Sequence, residues 1–377
     1  MPRAFAVGKL PPAILERMLA SIPLEDERVR IGPQLGEDAA AIAFDDVYLV
    51  AKTDPITFAT EHIGWYAVHI NANDVAVMGA RPRWFLAALL LPEGQTDATL
   101  VEGIFHDMVN ACRELGITLC GGHTEITYGL DRPVIVGHML GEAPRERLVH
   151  KRMEVGDRIL LTKGVAIEGT AILAREKAQE LSACEATLLA RARRFLFDPG
   201  ISVVREALRA VAVARVHAMH DPTEGGVIGG LCELAAAGGM GMHIWRDRIR
   251  VLPETEIFCR HLGLDPLRLI ASGALLIVAP PDQCPTILEA LRQEGIEAAE
   301  IGEVRERSYG LKMEMKDTLV ELDFPERDEI ARIFEVTPSE SRSSSIEALP
   351  FTRDSRRPHA PTGSYEDLPE AKPRPSP

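Results

Sequence analysis

The sequence lacks the cysteine patterns of a disulfide-bonded or zinc-binding domain. Its six cysteines lie far apart and include no CxxC pair: Cys112, Cys120, Cys184, Cys232, Cys259 and Cys284. Zinc sites need closely spaced ligands, and disulfide frameworks are a feature of short secreted chains rather than one of 377 residues. We therefore expect reduced and mostly buried thiols.

Long hydrophobic runs are also missing. The longest purely apolar run extends from Trp84 to Leu91, far short of the ~20 residues that a membrane-spanning helix needs. Met1 to Leu10 contains no apolar core of a secretory signal. These absences predict a cytoplasmic protein with no membrane contact.

Positive charge is scarce relative to negative charge. The formal net charge is −14, whereas a nucleic-acid-binding protein is expected to present a basic face. Nucleic acid is therefore not expected as a partner. If the ligand is a triphosphate, metal ions must lie between its phosphates and the protein carboxylates.

The length and the patterning predict two folded domains and a tail. The apolar fraction of 46% is enough for two cores, and strand-like and helix-like segments alternate without a strict βαβ repeat, which predicts an α+β fold. A polar stretch begins after Arg145, and we place a boundary there, giving domains at 1–150 and 151–336. Residues 337–377 hold 8 of the 26 prolines and a serine run, a composition that predicts disorder.

Two short acidic motifs lie in the first half. Gly36-Glu37-Asp38 is a glycine followed by carboxylates, and Asp54 precedes Pro55 at the end of a predicted strand. Either motif alone is as typical of a solvated turn as of a metal ligand.

A polar cluster interrupts an otherwise apolar predicted helix at 61–78. Asn71 and Asp74 are three residues apart and share a face, with Asn73 beside them. Buried polar groups need partners, so the pattern favours a functional face over a capping or interface role.

The segment Gly121 to Glu125 follows a predicted strand at 118–120. Two glycines, an imidazole, a hydroxyl and a carboxylate are typical of a loop that binds phosphate and metal. A plain tight turn would not need the three polar residues.

A further motif extends from His220 to Gly226 and precedes a predicted helix. Thr223 is a candidate N-cap for that helix, whose N-terminus is alternatively an anion site. His217 and His220 are three apart, but no third ligand at suitable spacing supports a zinc pair.

Together these motifs resemble the AIR synthase (PurM)-like superfamily, which includes thiamine-monophosphate kinase, selenophosphate synthetase and HypE. GEDAA, TDP, NANDVAVMGARP, GGHTE, GDRILLTKG and HDPTEGG occur in family order over about residues 30–320. DPTEGG and the segment Leu264 to Leu267 look most like the HypE branch, where arginine usually stands in place of Glu224.

The resemblance implies a two-domain ATP- and Mg²⁺-dependent enzyme that forms a homodimer, with a maturation protein as a further candidate partner. The implied metal ligands are Asp38, Asp54, Asp74 and Glu125. The implied ATP-binding residues are Asn71, Gly121, Gly122, Thr124, Thr223, Gly225 and Gly226. The implied catalytic residues are His123 and Asp221.

Two specialised chemistries of the superfamily lack their nucleophile here. HypE carries a C-terminal cysteine, whereas this sequence ends at Pro377 and its last cysteine is Cys284. Selenophosphate synthetase uses an N-terminal cysteine or selenocysteine, and no cysteine precedes Cys112. The expected functions are a HypE-like enzyme acting on a separate carboxamide or thiol, a small-molecule kinase, or an ATP-binding scaffold with little turnover.

Overall fold

The computed structural model describes residues 10–57, 59, 61–316 and 318–334. The segment 337–377, for which the sequence predicts disorder, lies outside the described residues. In the part that is described, residues up to Phe334 belong to one compact unit, and none of its helices is long and apolar enough to cross a membrane.

The described chain alternates between helices and strands and builds two sheets. The helices are α1 Pro12–Leu19, α2 Ile63–Val77, α3 Ala98–Leu115, α4 Ile167–Glu176, α5 Ala186–Arg194, α6 Val204–Val213, α7 Gly226–Gly238, α8 Pro253–Leu262, α9 Cys284–Gln293 and α10 Glu329–Ile333. The strands are β1 Val29–Ile31, β2 Ala40–Phe44, β3 Val47–Ile56, β4 Arg81–Pro92, β5 Thr118–Thr127, β6 Val134–Pro144, β7 Arg158–Thr162, β8 Ala218–His220, β9 Gly241–Trp245, β10 Leu276–Ala279, β11 Ala298–Arg305, β12 Leu311–Met315 and β13 Thr318–Glu321.

The first sheet has six strands in the order β1-β2-β3-β6-β4-β5. Helix α3 connects β4 to β5, which run parallel, as a parallel pair requires a crossover. The Asp97 carboxylate begins α3 by accepting from the Leu100 amide at 2.9 Å, and Gly116, with φ at +67°, ends it. Helices α2 and α3 pack against each other, and α2 packs on β3, β4 and β6.

The second sheet has seven strands in the order β13-β12-β9-β11-β7-β10-β8 and is antiparallel except between β9 and β12. Its central strands β7 and β10 are almost wholly buried, as their unbroken apolar runs predict. The α+β fold with two sheets is confirmed. We propose the domain boundary near residue 150, in the segment between β6 and β7.

Helix α2 is buried on all sides and ties the two halves together. Its Asn73 amide group donates from Nδ2 to the Ile201 carbonyl at 2.9 Å and accepts at Oδ1 from the Val203 amide at 2.8 Å. Asn73 therefore satisfies two buried backbone groups of the second half, a structural role for a residue that the sequence grouped with the functional face.

Replacing Asn73 with alanine should lower the free energy of unfolding by roughly 2–4 kcal/mol, because two buried backbone groups lose their partners. Urea denaturation of the wild type and Asn73→Ala measures this difference. Asn110→Ala is the matched control, since Asn110 is half-buried and, among the described residues, its side chain bonds only to neighbouring side chains of α3. Equal losses in both variants would show that the Asn73 contacts contribute nothing specific.

A second buried polar group, Glu168, lies in the first turn of α4. Burial raises the pKa of Glu168 to about 7, against the opposing effect of hydrogen bonding from Ser272. An acid whose pKa is raised in the folded state stabilises the fold while it is protonated. That contribution is lost as the pH rises from the unfolded value of 4.5 through the folded value.

We expect the wild type to lose roughly 3 kcal/mol of stability relative to Glu168→Gln between pH 5 and pH 8. Urea denaturation of both proteins at the two pH values measures the effect. Glu102→Gln, at an exposed position of α3, should show no such pH-dependent difference from the wild type. A pH-independent gap between the wild type and Glu168→Gln would contradict the assignment.

Candidate active site

Four aspartates from both halves of the chain meet beneath the first sheet. Asp38 follows β1, Asp54 lies on β3, Asp74 on α2, and Asp221 directly follows β8. Ligand atoms of Asp38, His220 and Asp221 lie within 4.8 Å of one another. The charges of Asp74 and Asp38 act on Asp221, and those of Asp54 and Asp38 act on Asp74, so the four carboxylates form one electrostatic cluster.

Strand β3 supplies the cluster with one aspartate and one lysine. Lys52 and Asp54 are two residues apart, so both side chains point to the face covered by α2. The Lys52 ammonium lies 3.2 Å from an oxygen of Asp74 and 3.6 Å from one of Asp54. Burial opposes the charge of Lys52, but the neighbouring carboxylates of Asp74 and Asp54 raise its pKa overall.

Asn71 fixes the position of β3 against α2. Its Nδ2 donates to the Ala67 carbonyl at 2.9 Å and to the Asp54 carbonyl at 3.3 Å, while its buried Oδ1 has no partner in the described chain. The side chain lies on Gly137 of β6, where a Cβ would come within 2.3 Å of Nδ2. Only glycine leaves room for the amide at this point.

Asp38 forms the most strongly paired corner of the cluster. Its Oδ2 accepts from Lys151 Nζ at 2.8 Å, and its Oδ1 contacts His220 Nδ1 at 2.9 Å. Lys151 also donates to the Gly36 carbonyl. Burial alone would raise the pKa of Asp38, but the charges of Lys151 and His220 outweigh it and hold that pKa well below its usual range.

Two contacts anchor this corner to the second half. His220 Nε2 contacts Glu233 of α7 at 2.8 Å, and with Asp38 this raises the pKa of His220 to about 9 against the opposing effect of burial. Gly36 has φ at +82°, and a Cβ there would lie 2.9 Å from the Glu233 carbonyl oxygen. Glycine is therefore required for the acidic loop to approach α7 closely.

Asp221 is the unpaired member of the cluster. It is 1% exposed, and neither carboxylate oxygen has a hydrogen-bond partner in the described residues. Burial, followed by the charges of Asp74 and Asp38, raises the pKa of Asp221 well above its usual range. Burial likewise raises the pKa of Asp74 to about 7, with Lys52 opposing the shift.

The donor set of this cluster fits a hard divalent cation. Carboxylate oxygens are the ligands that Mg²⁺ prefers, and unpaired buried carboxylates are costly unless a cation neutralises them. Asp221 provides two such oxygens. Asp74, which lies 3.2 Å from Lys52, and Asp54, whose side chain is 36% exposed, offer further carboxylate oxygens. Such a site can hold metal ions between the protein and an anionic ligand.

The segment Gly121 to Glu125 does not form the loop that the sequence predicts. It continues β5 as a ten-residue edge strand that is exposed along nearly its whole length. The two glycines were interpreted as the start of a loop, whereas Gly122 pairs so closely with β4 that a Cβ would lie 1.9 Å from the Ala87 carbonyl oxygen.

Within one chain, this strand lies away from the aspartates. The register places Asp54, Gly137, Ala87 and Gly122 in one row across four strands. Three strand spacings correspond to roughly 14 Å. Exposed Glu125 contacts only His123, at 3.2 Å, and Thr127, at 2.6 Å, among the described residues. The chain therefore does not bring Glu125 to the other three proposed metal ligands.

The remaining predicted positions, Thr223, Gly225 and Gly226, precede α7. Thr223 makes no side-chain cap to this helix, and its carbonyl accepts from the Ala271 amide at 3.2 Å. The Gly225 amide donates to Asp328 at 2.6 Å, and a Cβ on Gly226 would lie 2.5 Å from the Leu267 carbonyl oxygen. These contacts favour a packing role for the turn.

Sequence reasoning missed three cations of the cluster: Lys52, Lys151 and His220. Lys52 could have been found, since it precedes Asp54 by two positions on a predicted strand. Lys151 lies in the polar stretch that was interpreted as a domain boundary. His220 was considered as a ligand only in a pair with His217. In the structure His217 contacts Asp157 instead, at 2.7 Å, so the two histidines do not share a site.

The two halves of the chain match the two domains of a known family. Residues 36–143 match the N-terminal domain of AIR synthase related proteins, and residues 154–313 match the C-terminal domain. The chain belongs to the AIR synthase related family.

Individual relatives narrow the similarity to the HypE branch. The chain is 33% identical over 282 residues to the carbamoyl dehydratase HypE of Cupriavidus necator, covering 72% of this chain and 77% of that protein. A hydrogenase maturation protein HypE in complex with ATP is similar in structure, with a TM-score of 0.64, 26% identity and coverage of 83% and 91%. HypE in a HypE–HypF complex shares the fold, with a TM-score of 0.68, 23% identity and coverage of 84% and 100%.

Proposed function

We propose that the protein is a HypE-like, ATP-dependent enzyme that phosphorylates an amide-type oxygen of its substrate in hydrogenase maturation. The observation that carries this proposal is the buried aspartate cluster, with Asp221 unpaired, in a chain whose relatives include carbamoyl dehydratases. Phosphorylation turns an amide oxygen into a leaving group, so that dehydration can follow.

We propose Asp38, Asp54, Asp74 and Asp221 as the residues that hold magnesium. Bound magnesium would neutralise charge between these carboxylates and the triphosphate. Asp221, first considered as a catalytic residue, fits a ligand role better because it lies beside Asp38 and His220.

The basic residues of the cluster would orient these ligands and the phosphates. Lys52 bridges Asp54 and Asp74, and its ammonium could donate to a phosphate oxygen of a bound nucleotide. Lys151 and His220 hold Asp38 in one orientation. Catalysis of phosphoryl transfer depends mainly on such positioning and charge neutralisation.

A homodimer would complete the ATP site. On the outer face of the first sheet, β4 and β6 present half-buried apolar side chains, among them Leu86, Ala88 and Leu140. The exposed strand β5 leaves Ile126 63% exposed at the same edge. Such a face favours pairing with a second copy. The Gly121–Glu125 segment of one protomer would then lie near the aspartates of its partner and complete the ATP site there.

Steady-state ADP release tests the proposed activity. We expect slow release with Mg·ATP alone and a stimulated rate with a carboxamide or thiocarboxamide substrate or with a hydrogenase maturation protein such as a HypF-type partner. Stimulation by a small alcohol or phosphate-ester metabolite instead would favour a small-molecule kinase. Tight Mg·ATP binding without stimulation by any acceptor would favour a non-catalytic scaffold.

A further inference from the structure

A cavity of about 560 Å³ lies next to the Lys151–Asp38 pair of the aspartate cluster. Asp54 is at the other end of β3. Tyr48 forms part of its wall and precedes Asp54 by six residues, roughly 20 Å along a strand. Its charged and imidazole side chains are Arg30, Arg145, Arg152, Arg215, His150, His217 and one carboxylate, Glu154.

The lining is basic in a protein of net charge −14. Four arginines face one glutamate, Glu154. Arg215 approaches Glu154 at 3.5 Å, but the other three arginines contact no carboxylate in the described part of the chain. Arg30 makes no side-chain hydrogen bond there, and Arg145 donates only to the Asp45 carbonyl. Such an excess of arginine over carboxylate indicates an anion site.

A buried imidazole adds a second, independent observation. His217 is 6% exposed and contacts Asp157 through Nδ1 at 2.7 Å. Its other ring nitrogen, Nε2, is buried and has no partner among the described residues, although the residue lines the cavity. A buried polar atom without a partner is unusual in a folded protein, so the wall of the cavity contains a polar group that the described residues leave unsatisfied.

The cavity and the aspartate cluster share a wall, formed by residues 149–153. Alternate side chains of this segment serve the two sites: Lys151 binds Asp38, whereas His150 and Arg152 line the cavity. Arg152 donates to His150 Nδ1 at 3.1 Å, and His150 Nε2 lies 3.7 Å from Glu37. The two sites are therefore adjacent but use different side chains.

We propose that this cavity binds a phosphate-bearing small molecule without metal, as a second ligand site beside the aspartate cluster. Arginine binds phosphate through paired N–H donors, and the volume exceeds what inorganic phosphate alone would fill. Tyr48, Leu148 and Val216 provide apolar surface for the organic part. The proposal does not depend on the proposed function.

Calorimetric titration in EDTA tests the site with inorganic pyrophosphate and ribose 5-phosphate as probes. The wild type should bind both, with an affinity that falls as sodium chloride is raised. The double variant Arg30→Gln/Arg215→Gln should bind at least about tenfold more weakly, since two charge-assisted contacts are lost. Arg194→Gln, at an exposed position of α5 outside the cavity, is the matched control and should bind as the wild type does.

Mg·ATP titration of the same proteins distinguishes the two sites. The double variant should keep the wild-type affinity for Mg·ATP, because neither arginine contacts the aspartates. Equal losses for Mg·ATP and for the metal-free probes would show that the cavity is part of the ATP site, and would overturn the proposal. Absence of wild-type binding to either probe at millimolar concentration would overturn it as well, as would binding of an acidic peptide in their place.

Discussion

Asp221→Asn is expected to weaken Mg·ATP binding ten- to a hundredfold while leaving the unliganded protein as stable as the wild type or more so. The carboxylate would be lost from the metal site, and one charge-assisted contact is worth roughly 1.5–3 kcal/mol. No hydrogen bond of the unliganded protein is broken, because neither oxygen of Asp221 has a partner in the described chain.

The substitution should also change the free energy of unfolding of the unliganded protein. The folded state raises the pKa of Asp221 above the unfolded value of 3.8, so this carboxyl opposes folding at high pH, and that cost declines as the pH falls from the folded pKa towards the unfolded one. Removing the charge should therefore raise the free energy of unfolding at pH 8 by about 1 kcal/mol or more. A solvated aspartate would show neither effect.

Calorimetric titration with Mg·ATP, repeated with ATP in EDTA, and urea denaturation provide the measurements. In EDTA the wild type and Asp221→Asn should differ little, since the lost contact passes through the metal. Asp247→Asn is the matched control, at an exposed position of the second half. Equal Mg·ATP affinity for the wild type and Asp221→Asn would remove the main support for the metal site.

Much of the fold could be predicted because its periodicity is local. The strands that begin at Val47 and Arg81 and the helix Ile63–Val77 each follow from an apolar pattern that a single segment carries. The strand Gly121–Glu125 was missed for the opposite reason. Its two glycines predict a loop. Their place in a strand depends on pairing with β4, which is a contact between distant segments of the chain.

The candidate site shows the same limit. Asp38, Asp54 and Asp74 were identified through the family motifs. Lys52 could have been predicted as well, because it lies two residues before Asp54 on the same strand. That Lys151 and His220 both contact Asp38 depends on chain segments more than 60 residues apart meeting in space, about which neither local pattern carries information. The role of Asn73 was hidden likewise, since its partners Ile201 and Val203 lie in the other half.

Ala88→Asp tests whether the protein forms a dimer through the outer face of the first sheet. Ala88 is half-buried on the outer face of β4, in one row with Val136 and His123. A carboxylate at the centre of an apolar interface loses its hydration without gaining a partner. We expect the dimer dissociation constant to rise at least about a hundredfold, a difference of roughly 3 kcal/mol.

Light scattering at micromolar concentration should therefore give twice 41.3 kDa for the wild type and a single copy for Ala88→Asp. Phe105→Asp is the matched control, because Phe105 is 40% exposed on α3, away from the outer face, and should leave the dimer intact. If β5 of one protomer completes the site of its partner, monomeric Ala88→Asp should also bind Mg·ATP at least about tenfold more weakly, although circular dichroism shows it folded. A monomeric wild type would contradict the dimer, whereas a monomeric variant with undiminished Mg·ATP affinity would contradict only the shared site and would place every ATP contact within one chain.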